Sequence, residues 1–207
     1  MSRFSRAHIG LDLDNTLISY DLLFAQVAIE RGFIPSDFRG AKRELRDRMR
    51  LLPQGEIEWQ RLQAHVYGPA IGRALATEGA LAFVRLARAN GALLSIVSHK
   101  TAFSNLGTEN VNLRDGAYAW LAASGMLGVQ GVPEDRLFFE DTRDAKIARI
   151  VSLGCTHFVD DLEEVFSDPA FPANVECMLL TDVAGDPSGS FRTFRTFDEI
   201  ARAFTTD

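Results

Sequence analysis

The chain has 207 residues, enough for one hydrophobic core with an elaboration but short for two independent domains of ordinary size. Hydrophobic residues make up 46% and charged residues 24%, which excludes a disordered chain; the net charge of −6 argues against binding nucleic-acid polymers in general, while a local basic pocket stays possible. Cys155 and Cys177 are too few for a disulfide framework and lack metal-ligand spacing, so both are expected reduced in the core.

In chain order, Met1 to Arg6 lacks the apolar stretch of a signal peptide, and no run reaches the length of a transmembrane helix. A cytoplasmic protein without a membrane partner is expected. Apolar runs predict strands near 7–13, 92–98, 136–140, 156–160 and 176–181. The interval from about 20 to 78 has helical patterns and no convincing strand. Tyr20 to Arg31 ends at Gly32, a second helix can begin at Ser36 and Asp37, and a third covers Ile57 to Val66 after Pro53-Gln54-Gly55. Glu78 to Ala89 reads as a helix ending at Asn90-Gly91, before the second strand. A helix over Val111 to Gly125 precedes the third strand, and the segment from Asp144 to Leu153 precedes the fourth. Gly185 to Ser190 reads as a surface loop. Strands alternating with helices predict a parallel sheet, so the expected fold is α/β, a doubly wound (Rossmann-like) sheet with a helical insertion. The expected division is an α/β core over 1–19 and 79–207, with the insertion over 20–78.

Asp12-Leu13-Asp14-Asn15-Thr16 follows the apolar run Ile9-Gly10-Leu11. Successive strand side chains point to opposite faces, so Asp12 and Asp14 share a side, and burying both charges unpaired would be costly. A bound cation, or a reaction that uses the two acids, resolves that cost. Other expected strands also end in polar groups: Ser98-His99-Lys100-Thr101 after Ser95-Ile96-Val97, and Asp160-Asp161 after Phe158-Val159, with Lys146 in the segment before the latter. Such groups gather at the carboxyl edge of a parallel sheet, where these folds bind ligands.

These residue types suit attack on an anionic phosphoryl centre. A carboxylate can attack covalently, Mg²⁺ held by carboxylates can offset the repulsion, and a lysine adds positive charge. A hydroxyl can fix phosphate oxygens, and a second carboxylate can move the proton.

The order of these motifs resembles that of the haloacid-dehalogenase-like (HAD) hydrolase superfamily over nearly the whole chain. The resemblance implies that Asp12 is the nucleophile and a Mg²⁺ ligand, and that Asp14 is the general acid/base and a ligand through its backbone carbonyl. It gives Ser98 and Lys146 the phosphate, and Asp160 and Asp161 the metal. The helical insertion stands where this superfamily carries a small helical cap, and Asn15 stands where many members have glycine. The second acid argues for phosphate chemistry over dehalogenation, because a halide leaves without a proton.

The implied activity is Mg²⁺-dependent hydrolysis of a small phosphomonoester, such as a sugar phosphate or a nucleotide-related metabolite, through an aspartyl-phosphate. Alternatives are transfer of the same phosphoryl group to an acceptor other than water, and a non-catalytic metal-binding or scaffold protein on the same fold. Within the insertion, Arg39, Lys42, Arg43, Arg46, Arg48 and Arg50 suit a solvated helix face, and Trp59, His65 and Tyr67 suit packing.

Overall fold

The computed structural model describes residues 3–104, 111–182 and 191–205; the expected loop at Gly185 to Ser190 lies outside them. The strands are β1 (His8–Leu11), β2 (Ile18–Ser19), β3 (Leu75–Ala76), β4 (Leu93–His99), β5 (Leu137–Glu140), β6 (His157–Asp160), β7 (Glu176–Leu180) and β8 (Arg192–Phe194). The α-helices are α1 (Asp21–Glu30), α2 (Lys42–Arg50), α3 (Gly55–Tyr67), α4 (Ala80–Ala89), α5 (Leu113–Ala123), α6 (Arg143–Leu153), α7 (Glu163–Phe166) and α8 (Phe197–Thr205). Contacts divide the chain into a sheet unit, Met1–Ile18 with Ala76–Lys100 and Leu121–Asp207, and a helical unit, Ser19–Leu75 with Thr101–Trp120. The second unit thus takes in 101–120 besides most of the segment expected as the insertion.

Six strands form one parallel sheet in the order β5-β4-β1-β6-β7-β8, with helices on both faces. β1 is central because all four of its residues are buried, as a strand covered on both faces requires. Five of the six strands coincide with expected apolar runs. β8 was not expected, being three residues long and only partly apolar, and neither was the two-stranded pairing of β2 with β3.

Gly10 lets β1 and β6 lie close beside their covering side chains. A Cβ there would sit 2.7 Å from Cε2 of the buried Phe158 ring and 3.2 Å from the Cys155 sulfur. Phe158, Val97, Ile150, Cys155 and Val165 form one apolar cluster, which fixes the C-terminal halves of β4 and β6 relative to α6. Cys155 is buried and Cys177 half-buried, both as free thiols, and burial pushes each up to about 11.

In the helical unit, Phe24 stacks on Trp59 with ring centres 5.3 Å apart, and Tyr67 meets Tyr20 and Phe24 edge-on. Trp59 and Tyr67 are therefore packing residues. The expected helix start at Ser36 and Asp37 is corrected to Lys42: Phe38 closes a turn on the Pro35 carbonyl, and Gly40, a poor helix former, lies between that turn and α2. On α2, Arg48 pairs with Glu44 and Arg46 with Asp47, while Arg50 reaches Glu56. All three pairs are exposed, as a solvated face requires. No helix among the described residues is long and apolar enough to cross a membrane.

His8 is buried in β1, with Nε2 2.8 Å from the Ser95 hydroxyl. Burial, then the charge of Arg136, lowers its pKa below the ordinary 6.5. The unfolded chain therefore binds this proton more readily, and stability is whole above about pH 6.5 and falls as pH drops from there toward the lowered value. His8→Gln should flatten the fall in urea-unfolding free energy between pH 7 and pH 5. An unchanged slope would show that His8 is not a source of acid lability.

Candidate active site

β1 lies between β4 and β6, in register at Leu11 with Ile96 on one side and Val159 on the other. The strand order reverses at β1, the switch point where open parallel sheets bind ligands beyond the carboxyl ends of their strands. The Asp12 amide extends the ladder by donating to the Val159 carbonyl at 2.9 Å, which brings Asp12 beside Asp160 at the end of β6. Beyond Asp12 the chain turns sharply. The amides of Leu17 and Ile18 both donate to the Leu13 carbonyl at 2.9 Å, and Asn15 takes a left-handed backbone with φ of 62°. Asparagine adopts that conformation more readily than most residues, and glycine does so freely.

Lys146 arrives from α6. Thr142 caps this helix, its hydroxyl accepting from the Ala145 amide at 3.1 Å, and Gly154 ends it in a left-handed conformation. Lys146 is one turn in, only 2% exposed, and its Nζ donates to Asp12 Oδ1 and to Asp160 Oδ2, each at 2.6 Å. The other Asp160 oxygen accepts from the Leu162 amide at 3.0 Å, so the carboxylate both shapes the turn after β6 and faces Lys146. Asp161 is half-buried, with Oδ1 3.4 Å from the Thr16 hydroxyl, and one oxygen each from Asp12, Asp160 and Asp161 lie within 4.8 Å of one another. Asp12 and Asp160 thus share one ammonium, with Asp161 beside them.

Burial first, and then the charges of Asp160 and Asp161, hold the Asp12 carboxyl well above the ordinary range, against the opposing pull of Lys146. Burial by itself would lower Lys146, but the charges of Asp12 and Asp160 outweigh it and raise the lysine. An all-oxygen donor set of three carboxylates fits a hard divalent cation such as Mg²⁺, which would draw on Asp12, Asp160 and Asp161.

Of the remaining expected residues, Ser98 lies near the end of β4, 1% exposed and in register with Phe139 of β5. Asp14 stands apart from the three-carboxylate group: its two oxygens accept from Lys100 Nζ at 3.0 and 2.7 Å. Lys100 is 5% exposed, and its amide donates to the Glu140 carbonyl at 2.9 Å, which continues the β4–β5 pairing. Sequence reasoning placed Lys100 among the polar groups at the end of β4, with a local structural role favoured over substrate contact. The signal was available, since Ser98 and Lys100 sit two residues apart at a strand end, the same argument that joins Asp12 to Asp14. His99, between them, is exposed and meets the Asp141 carbonyl at 3.1 Å.

Within the helical unit is a separate cavity of about 310 Å³, lined by Gln60, Gln63, Tyr67, Thr101, Phe103 and Ser104 among others. Among the described residues its lining carries no charged side chain.

The whole chain, 96–98% of it, superposes on solved hydrolase structures. These include a haloacid-dehalogenase-like protein of Streptococcus pneumoniae (TM-score 0.61, 12% identity, 96% of this chain and 98% of that one). A HAD-family hydrolase of Deinococcus radiodurans with bound phosphate and sodium gives 0.58 at 16% identity, over 97% and 98% of the two chains. A predicted phosphoglycolate phosphatase of Haemophilus somnus gives 0.56 at 18% identity, over 98% and 99%. The chain has the fold of the HAD-superfamily hydrolases. At such low identity the likeness is one of fold. No protein-family model and no curated protein matches the chain by sequence.

Removing one partner from a buried ionic cluster leaves the others uncompensated. Lys146→Met in metal-free protein should cost about 3–5 kcal/mol of unfolding free energy by urea denaturation, and adding Asp160→Asn should recover part of it. A loss within about 0.5 kcal/mol, the range of ordinary surface substitutions, would contradict the buried ion-pair description.

Proposed function

We propose that the protein is a Mg²⁺-dependent phosphatase of small phosphomonoesters, acting through an aspartyl-phosphate on Asp12. The observation that carries this reading is the pairing of Asp12 with a buried lysine at a sheet edge, with two further carboxylates in reach and Asp14 held separately on Lys100. The fold supports it, as does the bound phosphate in the Deinococcus structure.

In this mechanism Asp12 Oδ attacks phosphorus as the P–O bond to the leaving group breaks, and Asp14 gives that oxygen a proton. Water then attacks the phosphorus of the aspartyl-phosphate, the Asp12 Oδ–P bond breaks, and Asp14 takes the proton from water. Lys146 holds Asp12 in place and offsets the negative charge that meets there, and Ser98 is the hydroxyl assigned to the phosphate oxygens. Mg²⁺, drawing on Asp12, Asp160 and Asp161 and on the backbone carbonyl of Asp14, would supply further charge neutralisation at the phosphoryl group.

The helical unit is the proposed cap, selecting the leaving group and excluding water. Three of the four arginines of α2, Arg46, Arg48 and Arg50, give no support to an anionic leaving group, because they are engaged with carboxylates at the surface.

A phosphate-release screen over sugar phosphates, nucleotides and phosphorylated acids, ranked by kcat/KM, should find substrates that depend on Mg²⁺. Asp12→Asn should lower kcat by at least about a thousandfold, of the order seen when a nucleophile is removed. Full activity in that variant, or after exhaustive chelation, would sink the covalent or the metal part of the proposal respectively.

A further inference from the structure

Lys100 is an expensive residue for the fold to keep. Its ammonium lies almost wholly out of water beside a carboxylate that is itself 23% exposed, in a site where Lys146 already serves Asp12 and Asp160. A second lysine deep in a sheet-edge site has to be held by its partners, and both sides of this pair are fixed by backbone. Lys100 is fixed through its amide on the Glu140 carbonyl, and Asp14 by the turn that closes on the Leu13 carbonyl around the left-handed Asn15. The two carboxylates of one motif are thus assigned to different cations. Asp12 is drawn toward β6 and α6, and Asp14 toward β4.

We propose that Lys100 is a positioning residue for the reaction: by donating to both oxygens of Asp14 it fixes the direction of that carboxylate toward the phosphoryl site. This rests on the phosphatase reading above. Direction matters unequally in the two half-reactions. In the first, the leaving oxygen is tethered to phosphorus until the bond breaks, so a loosely held Asp14 can still find it. In the second, the proton acceptor must meet a mobile water in line with phosphorus, and a misaimed carboxylate loses the rate advantage of a fixed geometry. Lys100 therefore acts mainly on hydrolysis of the aspartyl-phosphate, in which the Asp12 Oδ–P bond breaks, a water oxygen bonds to phosphorus and Asp14 takes the water proton.

The test uses p-nitrophenyl phosphate with Mg²⁺, whose leaving group departs as a stable anion and needs no proton. Lys100→Met should keep a burst of p-nitrophenolate near one per chain while steady-state kcat falls at least tenfold. KM should fall with kcat, leaving kcat/KM nearly unchanged, since that ratio reports only the steps up to phosphorylation of Asp12. Lys100→Arg, which can also donate to both oxygens, should regain part of the rate. Without metal or substrate, the melting temperature lost in Lys100→Met should be largely restored in Asp14→Asn/Lys100→Met, which reads the pairing independently of activity. Equal loss of kcat and kcat/KM, or no loss of either, overturns the inference; so does a melting temperature that the second substitution does not restore. A wild-type chain that turns over no phosphomonoester of the screen contradicts the phosphatase reading itself and takes the inference with it. A wild-type chain that is active beside an unaffected Lys100→Met contradicts the inference alone.

Discussion

The ammonium of Lys146, buried between Asp12 and Asp160, is the interaction on which the site depends. Three elements meet at it: the end of β1, the end of β6, and the first turns of α6. Each is placed for reasons of its own, namely the ladder bond of Asp12 to Val159, the turn that Asp160 closes on the Leu162 amide, and the Thr142 cap. Without the lysine, two carboxylates would share a water-poor position with no counter-charge, which the fold could tolerate only by protonating them. With it, both carboxylates have a hydrogen-bonded counter-charge, and Asp161 lies close enough to complete a cation's donor set. The same arrangement that makes Asp12 hard to ionise alone groups it with two further carboxylates in a set that could hold a metal ion.

A second consequence is the separation of the two acids. Asp12 and Asp14 lie two residues apart in sequence, and on a continuing strand they would compete for the same cation. The strand ends at Leu11, and the turn at Asn15 sends the chain back toward Leu13, so that Lys100 from β4 takes Asp14 while Lys146 takes Asp12. The two carboxylates of one motif thus have different surroundings.

Much of the sheet was legible in the sequence, because parallel strands covered on both faces read as short continuous apolar runs, and β1, β4, β5, β6 and β7 all do. β8 was not, because three residues with one exposed arginine carry no such signal, and the two-residue strands β2 and β3 are too short for any periodicity. The start of α2 was misjudged because Ser36 and Asp37 suit a turn as well as a helix cap, and Gly40 favours the turn. In the site, Asp12 and Asp160 could be grouped from strand ends, while Lys146, on α6, joined them through the order of the motifs. The pairing of Lys100 with Asp14, 86 residues apart, depends on which strand lies beside β1 and how they register. The grouping of 101–120 with the helical unit likewise depends on contacts between segments distant in sequence.

That Asp12 itself carries the phosphoryl group is tested most directly by trapping it. The chain is mixed with Mg²⁺ and the best substrate of the screen, quenched in acid within a turnover, digested and examined by mass spectrometry. One added phosphoryl group should appear on the peptide containing Asp12, and borohydride reduction should convert that aspartate alone. Phosphate on a different residue, or turnover with no phosphorylated peptide even in Lys100→Met, where the intermediate should accumulate, would contradict attack by Asp12.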